Sequence, residues 1–426
     1  MSARRAPRPA VAWVLAVAVI IVAVTPVVLR YFAFWPLDQW QVDVEVYRMA
    51  GVSILDGRPV YAAMTEAPQL LPFTYPPFAA ILAIPLALIP FGLVGWLWTA
   101  AQVVATTGIV WYAGYRLIHR TGPWAPLTLA VLTAPMLWLH PVSDGIRFGQ
   151  INAFLVLAIV MDLRRPRPRV LAAVPEGVLV GLATAIKLTP GVFIVHYVVC
   201  RRWREAATAV GTAVTVTLLS WLALPEASFA FWGSALEDPA RLGPNGGTSN
   251  QSIRGVLLRI APHGATGTLL WLLLAGTVAV AGFGLARRLW RQGDSIGEVA
   301  VVGLIAVLVS PVSWVHHFHW MVVVILALLG SEPLARTPAA RLRLKAAIGM
   351  TVWMLCRGPW WGISLVARHG AWTVPGRILQ NSDCAAALVA LYLLWRVTRD
   401  DDPATTGPGA AVRGGVRESA PSLSRR

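Results

Sequence analysis

Apolar residues come in long blocks along this chain, and polar residues collect in the gaps between them. Blocks of roughly 20 residues, the length a helix needs to cross a bilayer, recur from Val11 to Trp395. The predicted spans are Val11–Leu29, Leu93–Tyr115, Pro126–His140, Ile151–Leu163, Ala206–Leu224, Thr266–Leu289, Val299–Val309, Trp314–Leu329, Ala346–Leu355 and Ile378–Arg396. Two further segments fit less simply. Pro77–Pro90 is apolar but short, and counting both it and Leu93–Tyr115 as full spans would put Arg116 on the wrong side. One of the two is therefore expected to be re-entrant or strongly tilted. Glu176–Cys200 must leave and return within a short stretch, which predicts two short helices broken at Lys187-Leu188-Thr189-Pro190. The expected fold is all-α and polytopic, with roughly a dozen membrane segments and both termini cytoplasmic. No soluble domain is long enough to fold alone, and no internal repeat is visible.

Composition agrees with that pattern. Of 426 residues, 57% are hydrophobic and 13% charged, with mean hydropathy +0.63. A soluble domain carries about a quarter charged residues. The formal charge of +16, from 36 basic against 20 acidic residues, would suit nucleic acid. The arginines instead fall in short clusters between apolar blocks, at 116–120, 164–169, 201–204, 287–291 and 336–345. That is the positive-inside pattern; it marks the cytoplasmic side and argues against nucleic acid as a partner. The first block follows Arg4, Arg5 and Arg8 as a signal peptide would, but it is too long for one. It also lacks a small-x-small cleavage site, so it reads as a retained signal-anchor. Cys200, Cys356 and Cys384 have no metal-type spacing and form no disulfide framework. Residues 1–398 are read as a single membrane domain, and 399–426, rich in Pro, Gly, Ser and Arg, as a disordered cytoplasmic tail.

With the sides assigned, polar motifs gather near the far-side ends of the spans. They are "QVDVEVY" (Gln41–Tyr47), "LPFTYPPF" (Leu71–Phe78), "RFGQIN" (Arg147–Asn152), "IKLTP" (Ile186–Pro190), "SNQSIRG" (Ser249–Gly255) and "SPVSWVHHFHW" (Ser310–Trp320). Ionisable groups at membrane depth are costly and as a rule face a cavity, which makes them candidates for function. Lys187 is one of two lysines, set between apolar "GLATAI" and a helix-breaking Thr-Pro. A compact ammonium there suits a phosphate oxygen, with a snorkelling lysine as the plainer reading. His316, His317 and His319 could bind metal. Adjacent histidines on a helix point about 100° apart, however, and no HExxH-like acid lies near, so donation to a phosphate or sugar oxygen fits better than a metal site. Interfacial histidines beside Trp314 and Trp320 in an aromatic belt are the competing reading. Asn250 and Gln251 could hydrogen-bond sugar hydroxyls or simply sit in a loop. Gln150 and Asn152 could do the same, or Asn152 could cap a helix. Tyr75-Pro76-Pro77 stiffens the start of an apolar helix. Asp43 lies just past the first span, where it could act as an acid or base, cap a helix or be solvated; Glu45 and Asp144 are rival acids on that side.

Taken in order, these motifs resemble the polyprenyl-phosphate-mannose-dependent α-1,2-mannosyltransferases of actinobacteria, glycosyltransferase family 87. The matching stretches are "DVEVYRMAGVSILDGRPVYA" from Asp43, "LPFTYPPFAAIL" from Leu71, "FGQINAFLVLAIVMD" from Phe148, "GLATAIKLTP" from Gly181, "NQSIRG" from Asn250 and "SPVSWVHH" from Ser310. They run from Gln41 to Leu329, and the last quarter adds little. The resemblance implies a GT-C membrane fold with an outward-facing active-site cavity, in the plasma membrane. It implies a polyprenyl-phosphate-mannose donor and a mannose-containing glycolipid or lipoglycan acceptor in the outer leaflet. It also implies that Asp43, opening the D-x-x-V-Y motif, is the catalytic base in preference to Glu45. Inversion at the anomeric carbon needs one base, and the transition state is oxocarbenium-like. In this reading Lys187, with His316 or His317, stabilises the departing phosphate, and Glu45, Tyr75, Gln150, Asn152, Asn250, Gln251 and Trp314 surround the sugars. A monophosphate leaving group calls for no metal, and no cofactor is implied. The alternatives are a polyprenyl-phosphate-arabinose-dependent arabinofuranosyltransferase and, from another class, a lipid or solute transporter. A transporter would show paired broken segments and midplane sites.

Overall fold

A chain surrounded by hydrocarbon must close its own backbone hydrogen bonds, and helix is the local way to do so. A computed structural model describes residues 9–34 and 39–400. Among these, the β pairing amounts to two isolated bridges, Met64–Pro72 and Asn250–Trp314, and the rest of the regular structure is helical. The main helices are α1 (Pro9–Phe34), α2 (Val42–Leu55), α3 (Phe91–Ala113), α4 (Ala125–Trp138), α5 (His140–Phe148), α6 (Asn152–Leu163) and α7 (Val178–Ile186). They continue as α8 (Val192–Val199), α9 (Trp203–Ala223), α10 (Ala265–Arg291), α11 (Ser295–Val309), α12 (Met321–Leu329), α13 (Pro338–Leu355) and α14 (Ser382–Asp400). The all-α expectation therefore holds.

Among the described residues, four helices, α1, α3, α9 and α10, are long and apolar enough to cross a membrane, or six spans if two bent pairs each count as one. The pairs are the 122–138 segment with α5, bent by 77°, and the 370–380 segment with α14, bent by 48°. Helices α1, α9 and α10 turn large apolar side chains outward: Val22 is 71%, Leu222 81% and Val280 78% exposed. Such surface is unfavourable in water and unremarkable against lipid, so this is a membrane protein. Inside that ring, α11 and α12 are buried on nearly every side and form the centre of the core. Against the expected dozen membrane segments, the described residues hold four to six spans with shorter apolar helices packed among them.

Both awkward segments are resolved. Pro77–Pro90 folds as two short helices, Pro77–Leu82 and Ile84–Ala87, because Pro77 and Pro85 start each one without an amide to give. Neither piece is long enough to cross, so α3 alone carries the chain towards Arg116. Glu176–Cys200 is a helical hairpin. Its two ends meet where Glu176 Oε1 lies 2.5 Å from Arg202 Nη2. Asp162 receives the backbone amides of Gly177 and Val180, each at 3.0 Å, anchoring the start of α7 with a carboxylate at a helix N-terminus. At the tip Lys187 is extended (φ −150°, ψ 127°), and the chain turns through Thr189–Gly191 into α8.

The basic clusters converge at the hairpin's base. Arg116, Arg164, Arg165 and Arg343 line one cavity there, and Arg165, Arg201, Arg202 and Arg204 line its neighbour. Arg202 also reaches Glu205 at 3.3 Å and the fully buried Glu298 at 3.5 Å, and Glu298 accepts from His196 at 2.8 Å. The predicted tail lies outside the described residues beyond Asp400, as do Arg4, Arg5 and Arg8. Removing Arg202 would leave the fully buried Glu298 with His196 alone, and Glu176 with Arg165 at 3.8 Å. Arg202→Met should destabilise the fold by about 3–5 kcal/mol, read as a lowered melting temperature of the solubilised protein; an unchanged melt would mean that the hairpin closes without this pair.

Candidate active site

Construction begins at Gln41, the buried residue before α2, whose backbone is left-handed at φ 60°. Its amide donates to Arg147 O at 2.8 Å, and its side chain donates to Ile146 O at 2.9 Å and Thr99 Oγ1 at 3.0 Å. The start of α2 is thereby tied to the end of α5 and to α3. Helix α5 ends at Gly149, also left-handed at φ 74°. A Cβ there would run into Gln41 Oε1 and Val44 Cγ2, so glycine is required both for the conformation and for the closeness of α2.

That closeness puts Gln150 Nε2 2.5 Å from Asp43 Oδ2. From Gln150 the polar line continues without a break. Asn152 Nδ2 donates to Gln150 Oε1 at 3.3 Å and to His316 O at 3.1 Å, while Lys187 Nζ donates to Asn152 Oδ1 at 3.0 Å. Lys187 Nζ also lies 3.2 Å from His317 Nε2 and 5.2 Å from the centre of the Tyr75 ring. An ammonium donating to Nε2 leaves that imidazole its proton on Nδ1. Tyr47 and Tyr75 meet hydroxyl to hydroxyl at 3.4 Å. Burial pushes the Asp43 carboxyl up to about 7, although the Gln150 amide and the Lys187 charge both pull the other way. Burial likewise raises the Tyr47 and Tyr75 phenols.

Five of the six motifs thus meet, but not every candidate keeps its expected part. Asn152 does not cap α6, which starts after Ile151 with no side-chain cap; its amide bridges Gln150 to Lys187. The expectation that Asn250 and Gln251 face sugar hydroxyls is corrected. Asn250 donates to Asn245 O and Pro311 O and accepts from Ser252 N and Ser313 N. Gln251 donates to Thr248 O and Gln380 O and accepts from Asp383 N and Cys384 N. Both are fully buried with every donor and acceptor spent on backbone, so they lock loops together. Glu45 turns to the 66 loop, where the Glu66 backbone amide donates to it; burial raises its carboxyl. Trp314 is half-buried and pairs through its backbone with Asn250.

Residues 315–320 form a 3-10 helix, so the histidines fan out. His317 meets Lys187. His316 packs on Phe148 at 5.6 Å, its Nε2 buried without a hydrogen-bond partner among the described residues. His319 turns the other way, to Thr106 at 3.4 Å. Among the described residues no three His, Cys, Asp or Glu side chains group as metal ligands. Asp144 is occupied by Arg357 at 2.5 Å and His140 at 3.4 Å, and Trp360 Nε1 donates to His140 at 2.7 Å. Sequence reasoning passed over Arg357, although it stands alone in an apolar stretch much as Lys187 does.

A profile of glycosyltransferase family 87 matches residues 73–311. A polyprenol-phosphate-mannose-dependent alpha-(1-2)-phosphatidylinositol pentamannoside mannosyltransferase of Mycolicibacterium smegmatis is 35% identical over 306 residues, 71% of this chain and 72% of that protein. A polyprenol-phosphate-mannose-dependent alpha-(1-2)-phosphatidylinositol mannoside mannosyltransferase of Mycobacterium tuberculosis is 34% identical over 355 residues, 78% of this chain and 81% of that protein. Among solved structures, ArnT from Cupriavidus metallidurans bound to undecaprenyl phosphate aligns with TM-score 0.40 and 18% identity, over 91% of this chain and 77% of that one.

Because the Gly149 turn sets the spacing between α2 and α6, Gly149→Ala should cost about 1–2 kcal/mol from the left-handed backbone alone. The overlap with Gln41 and Val44 adds to that, and a melting-temperature series will read it. A variant that melts like the parent would show that α2 has room to shift.

Proposed function

The chain belongs to glycosyltransferase family 87, and on that footing we propose that it is an inverting mannosyltransferase of the cell envelope. The donor is mannose on a polyprenyl phosphate, the acceptor a mannose-containing glycolipid such as a phosphatidylinositol mannoside, and the product an α-1,2 linkage. The relatives' names specify a mannose donor; nothing favours the arabinose donor or a transporter.

The observation that carries this reading is the line Asp43–Gln150–Asn152–Lys187–His317, with a carboxylate at one end and an ammonium with its imidazole partner at the other. In the proposed reaction the Asp43 carboxylate takes the proton of the acceptor's 2-hydroxyl. The hydroxyl oxygen bonds to C1 of the mannose as the C1–O bond to phosphate breaks, and the phosphate leaves with the electron pair. Lys187 neutralises the charge that grows on the phosphate. His317, held by Lys187, and His316, with its unpaired Nε2, are the neighbouring groups able to donate to phosphate or sugar oxygens. A base with a pKa near the working pH combines adequate basicity with a sufficient ionised fraction.

We place the site on the outer face of the plasma membrane. Helix α6 has 12 residues, and its rise separates Asn152 at the site from Asp162 beside the hairpin base by about 15 Å. The arginine-lined cavities lie at that opposite end, which the positive-inside rule makes cytoplasmic. The GT-C architecture belongs to the same reading.

Membranes carrying the protein, supplied with labelled polyprenyl-phosphate-mannose and a short mannoside, test it. Asp43→Asn should lower transfer by at least about 100-fold with the protein still folded; substantial retained turnover would sink the base assignment. The active form is the carboxylate and burial lifts its pKa to about 7, so kcat/KM should rise with pH and level off above that value. A rate flat down to pH 5 would contradict a buried carboxylate base. Lys187→Met should lower kcat by roughly 100-fold if its charge meets the leaving phosphate, whereas a change confined to acceptor KM would place it elsewhere.

A further inference from the structure

Away from Asp43, a cavity of about 630 Å³ opens between the C-terminal end of α2 and the C-terminal end of α9, within the size range that holds small molecules. Most of its lining is aliphatic, and its polar and charged residues include Ser53, Arg58, Tyr61, Glu226, Asp238 and Arg241. Two of them carry buried polar atoms with no hydrogen-bond partner. Ser53 is fully buried, and its Oγ is unpaired. Arg241 donates through Nη2 to Tyr61 O at 2.8 Å and Phe73 O at 3.2 Å, yet its buried Nε is unpaired. Buried polar atoms are normally satisfied, so two unsatisfied ones lining one cavity point to a missing polar ligand.

The charges narrow what that ligand is. Two arginines stand against two carboxylates, so the cavity has no surplus charge to hold a phosphate. A polyprenyl chain would cover the aliphatic lining but leave Ser53 Oγ and Arg241 Nε unsatisfied. A neutral ligand rich in hydroxyls fits both the polar atoms and the mixed walls. Position then gives its source. Ser53 lies ten residues beyond Asp43 on the same helix, about 15 Å away. Tyr61 links the cavity to the active site: it lines the cavity, and its hydroxyl donates to Tyr75 O at 2.7 Å, beside the Tyr75 ring that faces Lys187.

We propose that this cavity binds sugar rings of the acceptor glycan remote from the one being mannosylated, so that it selects acceptors several hexoses long. The inference rests on the mannosyltransferase reading and deepens it. Its test uses the full-length protein in lipid nanodiscs, with a soluble mannotetraoside and a mannobioside as probes. Ser53→Ala and, at the rim, Glu226→Ala should each weaken tetraoside binding about tenfold, and should lower by the same factor the ratio of kcat/KM for the tetraoside over the bioside. The rim variant serves if the buried one does not fold. An unchanged ratio, an equal loss on both acceptors, no tetraoside binding to the parent protein, or a rise confined to donor KM overturns the proposal. A protein that binds the tetraoside in a Ser53-dependent way yet transfers no mannose keeps the cavity and loses the reaction. One that transfers mannose with no length preference loses the cavity alone.

Discussion

Two opposite charges, the Asp43 carboxylate and the Lys187 ammonium, are kept from direct contact by two side-chain amides, Gln150 and Asn152. The rest of the site depends on that separation. A direct ion pair at this depth would hold the carboxyl low, making it a poor base, and would occupy the cation. The amides relay polarity between the ends without joining the two charges. Burial then outweighs the attraction, and the carboxyl rises to about 7. An amide is suited to this place because it donates on one side and accepts on the other without adding charge.

The fold is arranged to hold those two amides. Gly149 ends α5 in a left-handed turn tight enough to let α2 touch it, which brings Gln150 to Asp43. Two residues later α6 begins with Asn152 facing the hairpin tip. The hairpin is closed at its far end by Glu176 and Arg202 and seated by Asp162 at the start of α7, so Lys187 is projected from a supported base. The 3-10 helix at 315–320 supplies a backbone carbonyl to Asn152 and a ring nitrogen to Lys187 from one short piece of chain. The last quarter of the chain contributes bracing: Arg357 and Trp360 hold α5 through Asp144 and His140, and the Gln380–Cys384 backbone is gripped by Gln251.

Much of the architecture was legible in the linear chain. Apolar blocks set the helices, the prolines at 77 and 85 cut one block into two short pieces, and Thr189-Pro190 placed the break beside Lys187. The polar motifs were legible as a set, because an ionisable or amide-bearing residue next to a membrane span is conspicuous. Their individual parts were not. Asn250 and Gln251 have the composition of a sugar site and turn out to be loop clamps, and Asn152 has the position of a cap and serves as a bridge.

The sequence by itself determined that this is an all-helical membrane chain with its basic clusters on one side and its polar motifs near span ends. Those properties follow from local hydropathy, helix length and proline chemistry, which nearby residues decide. Only the tertiary structure decided which polar atom meets which. Gln150 and Asp43 are 107 positions apart, and Lys187 and His317 130 apart. A hydrogen bond forms or fails over a few tenths of an ångström, and that tolerance is set by how helices distant in sequence pack, not by the residues on either side of each motif.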